Sequence, residues 1–278
     1  MSAMRIDSHQ HFWDPARRTY PWMGYELDAV RRRFGPEDLE PLLHQASIDR
    51  SIVVQTVSSV RETGEFLSTA ETHVFIAGVV GWIDLTDRTA ARTIAQLKAG
   101  PGGDRLVGIR HQLEDEADEE WLLRPDVDRG LSAVEDAGLV YDLLVRKREL
   151  GAATEAVRRH PRMQFVLDHC AKPPVMRSGP DRPWQDAMSR LAELPNVACK
   201  ISGLVTEAEV TGWSAEEIAP YIELTLTWFG RERCMFGSDW PVCLMAASYD
   251  QVVGVVSAVV GDDAEVFGGV AAKVYRLT

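Results

Sequence analysis

A short apolar run followed by a longer stretch with helical spacing recurs along this chain, and no other feature narrows its fold as far. The apolar runs lie at residues 5–13, 51–57, 75–83, 106–111, 139–145, 164–169, 197–201 and 234–236, several of them rich in Val and Ile as strands are. Helical stretches at 35–46, 61–72, 89–99, 126–137, 149–159, 184–194 and 214–229 separate them, and two more, 249–260 and 264–277, close the chain. Strands that alternate strictly with helices pair in parallel, since a parallel return needs a crossover of a dozen or more residues. Eight such units in 278 residues predict an α/β fold of the (β/α)8 TIM-barrel type, a single domain over 1–278 with no linker. An open dinucleotide-binding sheet fits less well, because no Gly-x-Gly-x-x-Gly follows a strand.

Local signals agree with this division. Val127, Leu131 and Val134 share one helical face, and Gly138 stands where a left-handed residue would end that helix. Ser214-Ala215-Glu216-Glu217 reads as a capping box, with Gly230 as the stop. Residues 170–183 carry four prolines and are expected to be a loop, as are 14–33, placed over the barrel mouth. The acidic stretch 113–120 reads as a solvated loop.

Composition limits the function. Hydrophobic residues make up 45% and charged residues 26%, enough apolar material for a large core. A net charge of -12 argues against nucleic acid and anionic membrane as partners and for a small-molecule substrate, leaving room for a homo-oligomer. No signal-peptide or transmembrane run is apparent and Cys170, Cys199, Cys234 and Cys243 are dispersed, so a cytoplasmic protein with free thiols is expected.

In a parallel barrel the active site gathers at the carboxyl ends of the strands, which sorts the seven histidines. His44, His73 and His160 fall on helices or just before strands. His9, His11, His111 and His169 end strands, and Asp239 follows the eighth strand, beside the first in a closed barrel. His9 and His11, two apart on a strand, point the same way and could ligate a metal or polarise a carbonyl, although such a pair can equally be ordinary hydrogen-bonding residues. Arg110, Gln55, Trp82, Asp142 and Lys200 lie near other strand ends, where a salt-bridge role is as natural as contact with substrate.

His9-Gln10-His11, Asp168-His169 and Gly237-Ser238-Asp239-Trp240-Pro241 together resemble the amidohydrolase superfamily. With Val79-Val80-Gly81-Trp82-Ile83-Asp84, Gly108-Ile109-Arg110-His111 and Phe267-Gly268-Gly269-Val270-Ala271-Ala272, nearly the whole chain is similar to its sugar-lactonase-like branch, which includes L-fuconolactone, L-rhamnonolactone and pyrone dicarboxylate lactonases. The resemblance implies a hydrolase that opens a sugar-acid lactone. Asp239 would be the base on water, with His169, His9 and His11 stabilising the oxyanion. Arg110, His111, Gln55 and Lys200 would hold substrate oxygens, and Trp13, Trp82 and Trp240 would wall the ring.

One departure bears on the metal. Binuclear relatives are expected to carry a bridging carboxylated lysine or carboxylate on strand four and histidines ending strands five and six. Here strand four offers Arg110-His111, and strand five ends in apolar residues after Asp142. The implied cofactor is one divalent cation on His9, His11, His169 and Asp239, zinc foremost, or none. A metal-dependent decarboxylase and a non-catalytic barrel that binds a sugar acid remain alternatives, whereas a serine nucleophile finds no Gly-x-Ser-x-Gly elbow.

Overall fold

The computed structural model describes residues 4–209 and 212–277. Its eight strands are β1 Ile6–Gln10, β2 Arg50–Val54, β3 Ile76–Gly81, β4 Leu106–Gln112, β5 Val140–Leu144, β6 Phe165–Leu167, β7 Val197–Ile201 and β8 Cys234–Phe236. They pair in parallel and in sequence order. Closure between last and first uses residues at and just beyond the strand ends: His11 N donates to Trp240 O at 2.7 Å and Asp239 N to His9 O at 2.8 Å. The predicted (β/α)8 barrel is the observed fold.

The helices are α1 Pro36–Gln45, α2 Val60–Thr72, α3 Ala90–Ala99, α4 Pro125–Asp136, α5 Leu150–Arg159, α6 Arg182–Ala192, α7 Ala215–Phe229, α8 Tyr249–Val260 and α9 Val270–Val274. Their ends follow the expected chemistry: Ser214 and Glu217 form the capping box of α7, and Gly138 just past α4 and Gly230 just past α7 have φ of +70° and +74°. Most boundaries move by a few residues, and three departures have a clear physical reason. Pro183 belongs to the first turn of α6, where a missing N–H costs nothing. The closing helix is divided, with a wide turn over Glu265–Gly269 before α9. β6 stops at Leu167, because His169, Cys170, Ala171 and Lys172 all adopt φ between 47° and 60°. Among the described residues no helix is long and apolar enough to cross a membrane.

Period-two alternation divides the strand side chains between two cores. Val53, Ile109, Tyr141, Phe165, Cys199 and Phe236 join the larger apolar cluster with the helices. Their neighbours Val54, Val80, Val140, Val166, Ala198 and Met235 form a separate cluster with Val270, Ala271 and Tyr275 around α9. The second set fills the barrel interior, and two residues beyond Val140, Val166 and Ala198 stand Asp142, Asp168 (just past β6) and Lys200. An apolar plug thus supports a polar layer.

Close helix contacts rest on small residues. A Cβ on Gly81 would meet the Thr63 side chain of α2, and one on Gly130 of α4 would lie 2.2 Å from the Leu85 carbonyl oxygen. Ala for Gly within a helix ordinarily adds stability of about 0.5–1 kcal/mol. At Gly130 the backbone clash reverses that sign: Gly130→Ala is expected to lower stability by about 1–3 kcal/mol, read as a lower urea midpoint. An unchanged midpoint would mean that α4 shifts freely on the loop carrying Leu85.

Candidate active site

The floor of the site is a layer of buried charges. Lys200 Nζ lies 2.5 Å from Asp142 Oδ2 and 3.0 Å from Asp168 Oδ1, and Arg110 Nη1 donates to Asp168 Oδ2 at 3.0 Å. Both carboxylates and the lysine are fully buried, and Arg110 is 3% exposed. Two cations against two anions leave the layer neutral. The Tyr275 hydroxyl, just past α9, donates to Asp142 from below at 2.9 Å. Gln55 holds Arg110 from the side, its carbonyl and side-chain oxygens accepting from Nη2 at 2.6 and 3.3 Å. Burial pushes Asp142 up to about 6 even against the pull of Lys200. Burial acts on Asp168 in the same direction, but Lys200, His9 and Arg110 together hold it well below the usual carboxylate range.

Above this layer the imidazoles of His9, His11 and His169 converge on Asp239. His9 Nε2 and His11 Nε2 stand 3.2 Å apart, and Asp239 Oδ1 lies 3.8 Å from the first, 3.4 Å from the second and 3.9 Å from His169 Nε2. The opposite ring nitrogens are held in turn. His11 Nδ1 lies 2.7 Å from Val54 O, which can only accept, so the neutral ring keeps a lone pair on Nε2. His169 Nδ1 bonds the Ser202 hydroxyl at 2.8 Å. His9 Nδ1 has an acceptor, Asp168 Oδ1 at 3.3 Å, and a donor, Lys200 Nζ at 3.2 Å, so either tautomer finds a partner.

Local backbone aims these groups. His169 and Asp239 both have φ above +50°, a conformation that L-residues rarely adopt and that persists when the surroundings impose it. Gly203, at φ +66°, passes so close to His169 that an added Cβ would sit 2.7 Å from its Nδ1. Asp7 secures the far side, accepting from Ser238 N at 2.8 Å and from the Tyr249 hydroxyl at 3.0 Å. Burial lowers His169 to about 4 and takes His9 well below the normal imidazole range, which keeps both rings neutral at neutral pH. Burial raises Asp239, but His169, His11 and His9 outweigh it and hold the group ionised.

These donors fit one divalent ion. Four ligands about 2.0–2.1 Å from a tetrahedral centre stand roughly 3.4 Å apart, close to the separations observed. Two Nε2 atoms facing one another at 3.2 Å beside a carboxylate suit a shared cation. Among the described residues His9, His169 and Asp239 are grouped closely enough to hold an ion, and His11 adds a fourth donor. Arg110 Nη1, 3.3 Å from His9 Nε2, and Lys200 occupy the interior side with positive charge.

The cluster opens into a cleft of about 340 Å³ whose lining includes His11, Arg110, His169 and Asp239. Other residues proposed from sequence lie elsewhere. His111 follows the inward Arg110 on β4 and so faces outward, stacked on Trp121 at 4.2 Å, accepting from Trp82 Nε1 and bonded to Glu116. Trp82 goes with it. Trp13 and Trp240 are buried among Phe34 and its neighbours, outside the cleft lining. Gln55, Asp142 and Lys200 lie in or against the charged floor.

Sequence reasoning did not find Trp22, Thr56, Glu114, Arg146, Lys172, Glu207, Val242 and Met245, all of which line the cleft. Glu114 also corrects the reading of 113–120 as merely solvated: it is held by Lys172 and Arg146. The available signal was charge clustered just after strands four to seven.

A family model described as Amidohydrolase matches residues 6–277. The chain is 40% identical to an L-fucono-1,5-lactonase of Burkholderia ambifaria, over 98% of this chain and 96% of that one. It is 39% identical to an L-fucono-1,5-lactonase of Burkholderia multivorans, over 100% and 97%. A crystal structure of an amidohydrolase from Burkholderia multivorans with bound zinc superposes with a TM-score of 0.93, at 39% identity over 99% and 100% of the two chains.

Removing the central cation should leave the layer with one uncompensated buried negative charge, Asp168 keeping Arg110 and Asp142 keeping only the Tyr275 hydroxyl, so Lys200→Met is expected to cost about 3–5 kcal/mol. Equilibrium unfolding in urea measures it, and a loss below 1 kcal/mol would mean that the layer is not held by Lys200. The donor set also predicts at most one equivalent of divalent metal in the purified protein. Elemental analysis finding two equivalents bound at the strand ends would overturn this reading of the site.

Proposed function

The chain belongs to the amidohydrolase family, and from that premise we propose that it hydrolyses a sugar-acid lactone of the L-fucono-1,5-lactone kind. The observation that carries this is the 40% identity, across nearly all of both chains, to an L-fucono-1,5-lactonase. The four cysteines are free and buried, which suits a reducing compartment, and we place the enzyme in the cytoplasm.

In the proposed reaction the lactone lies in the cleft with its carbonyl carbon near Asp239. Asp239 takes a proton from the attacking water and returns it to the ring oxygen as the carbon–oxygen bond breaks. Held below the usual carboxylate range by the neighbouring histidines, Asp239 is ionised at neutral pH and can accept the water's proton as the new carbon–oxygen bond forms. Arg110, whose guanidinium is already fixed by Asp168 and Gln55, brings positive charge to the developing oxyanion without reorganising. When bound by His9, His11, His169 and Asp239, a divalent ion, for which this nitrogen-rich set suits zinc, supplies Lewis-acid polarisation of the carbonyl.

One carboxylate suffices for a lactone, since a ring alkoxide leaves more readily than an amide nitrogen, which needs a dedicated acid to protonate it. The test is a panel of aldonolactones followed by proton release. Turnover of L-fucono-1,5-lactone is expected, and Asp239→Asn should fold yet lose about 10²- to 10⁴-fold in kcat. If every lactone stays untouched while an aromatic or enoic acid loses CO₂, decarboxylation replaces this reading. An Asp239→Asn enzyme with nearly full kcat would remove Asp239 from the chemistry.

A further inference from the structure

One group of charged side chains in the cleft takes no part in the mechanism above. Four successive loops, those after β4, β5, β6 and β7, contribute Glu114, Arg146, Lys172 and Glu207. Lys172 Nζ donates to Glu114 Oε1 at 2.5 Å, Arg146 Nε stands 3.0 Å from Glu114 Oε2, and Arg146 Nη1 and Nη2 donate to Glu207 at 3.0 and 3.3 Å. The result is a continuous chain of alternating charge along one side of the cleft. Side-chain exposure is only 15% for Glu114 and Glu207 and 19% for Lys172, and although Arg146 is 46% exposed, each of its partners is largely buried. The arc is tied to the reacting centre, because the Lys172 amide donates to the His169 carbonyl at 2.8 Å.

Its hydrogen-bonding capacity is only partly used. A carboxylate offers about four acceptor sites and an ammonium three donors, whereas among the described residues the Lys172 ammonium makes one hydrogen bond, to Glu114. Paired acceptors and donors at hydrogen-bond spacing match adjacent hydroxyl groups, each of which can donate once and accept up to twice. The arc is also neutral overall. Unpaired cations at this place would retain a carboxylate product, whereas a charge-balanced arc can bind a neutral polyhydroxylated ring and release the acid formed from it.

We propose that Glu114, Arg146, Lys172 and Glu207 form a specificity arc that reads the ring hydroxyls of the lactone. The inference rests on the lactonase reading above and adds the residues that choose among lactones.

The experiment compares L-fucono-1,5-lactone with δ-valerolactone, a six-membered lactone without hydroxyls, in the full-length wild-type enzyme and in Glu207→Gln and Lys172→Gln. The readout is the ratio of kcat/KM for the two substrates, which cancels any general loss of folded enzyme. Losing a hydrogen bond to a charged group should lower this ratio about ten- to a hundred-fold in each variant. A ratio within two-fold of wild type in both variants, with wild type turning over both lactones, overturns the specificity arc and leaves the lactonase reading standing. A wild type that opens neither lactone overturns that reading, and this inference falls with it.

Discussion

The neutral layer formed by Arg110, Asp142, Asp168 and Lys200 is the constraint on which the rest of the barrel mouth depends. Two carboxylates taken out of water inside a barrel are tolerable only if cations are delivered to them in fixed positions. Strands β4, β5 and β7 and the residue just past β6 do this by placing one charged side chain each toward the barrel interior, so that pairing register and charge pairing require one another. The layer also explains why His9 and Arg110 are held so firmly: Arg110 donates to Asp168, and His9 and Lys200 stand in ion-pair contact with its other oxygen. Tyr275 extends the network to the chain terminus and couples α9 to the floor of the site.

Above the layer, the proposed reacting groups and the proposed specificity arc are carried by different kinds of backbone. The His9, His11, His169 and Asp239 cluster comes from strand ends and from left-handed turns immediately beyond them, where Gly203 permits the approach of His169 and Asp7 fixes the segment before Asp239. The charged arc comes from longer loops, whose side chains can change without disturbing the strands. A neutral floor, a nitrogen-rich centre and a charge-balanced arc together form a site that carries little net charge despite the acidity of the whole chain. That suits a neutral ring entering the cleft.

Much of this was legible in one dimension. Strand and helix periods differ, so the alternation along the chain specified the barrel. The rule that barrel chemistry lies at carboxyl strand ends then selected His9, His11, His169 and Asp239, which converge in the structure. The tryptophans and His111 show where that rule stops. Proximity to a strand end does not say which way a side chain points, and Arg110 and His111, being neighbours, must face opposite sides. Only one of them could enter the barrel.

Sequence by itself therefore determined the order and type of the elements and which titratable residues stand at the strand ends, because those depend on local periodicity and on position along the chain. The tertiary structure decided which charges neutralise one another. Lys200 became part of the floor because it lies one inward step above the apolar Ala198 and between two buried carboxylates. Glu114, which reads as solvated in sequence, entered the cleft because Lys172 and Arg146 reach it from different loops. Pairings between groups dozens of residues apart are set by barrel closure and stagger, and no local pattern along the chain records them.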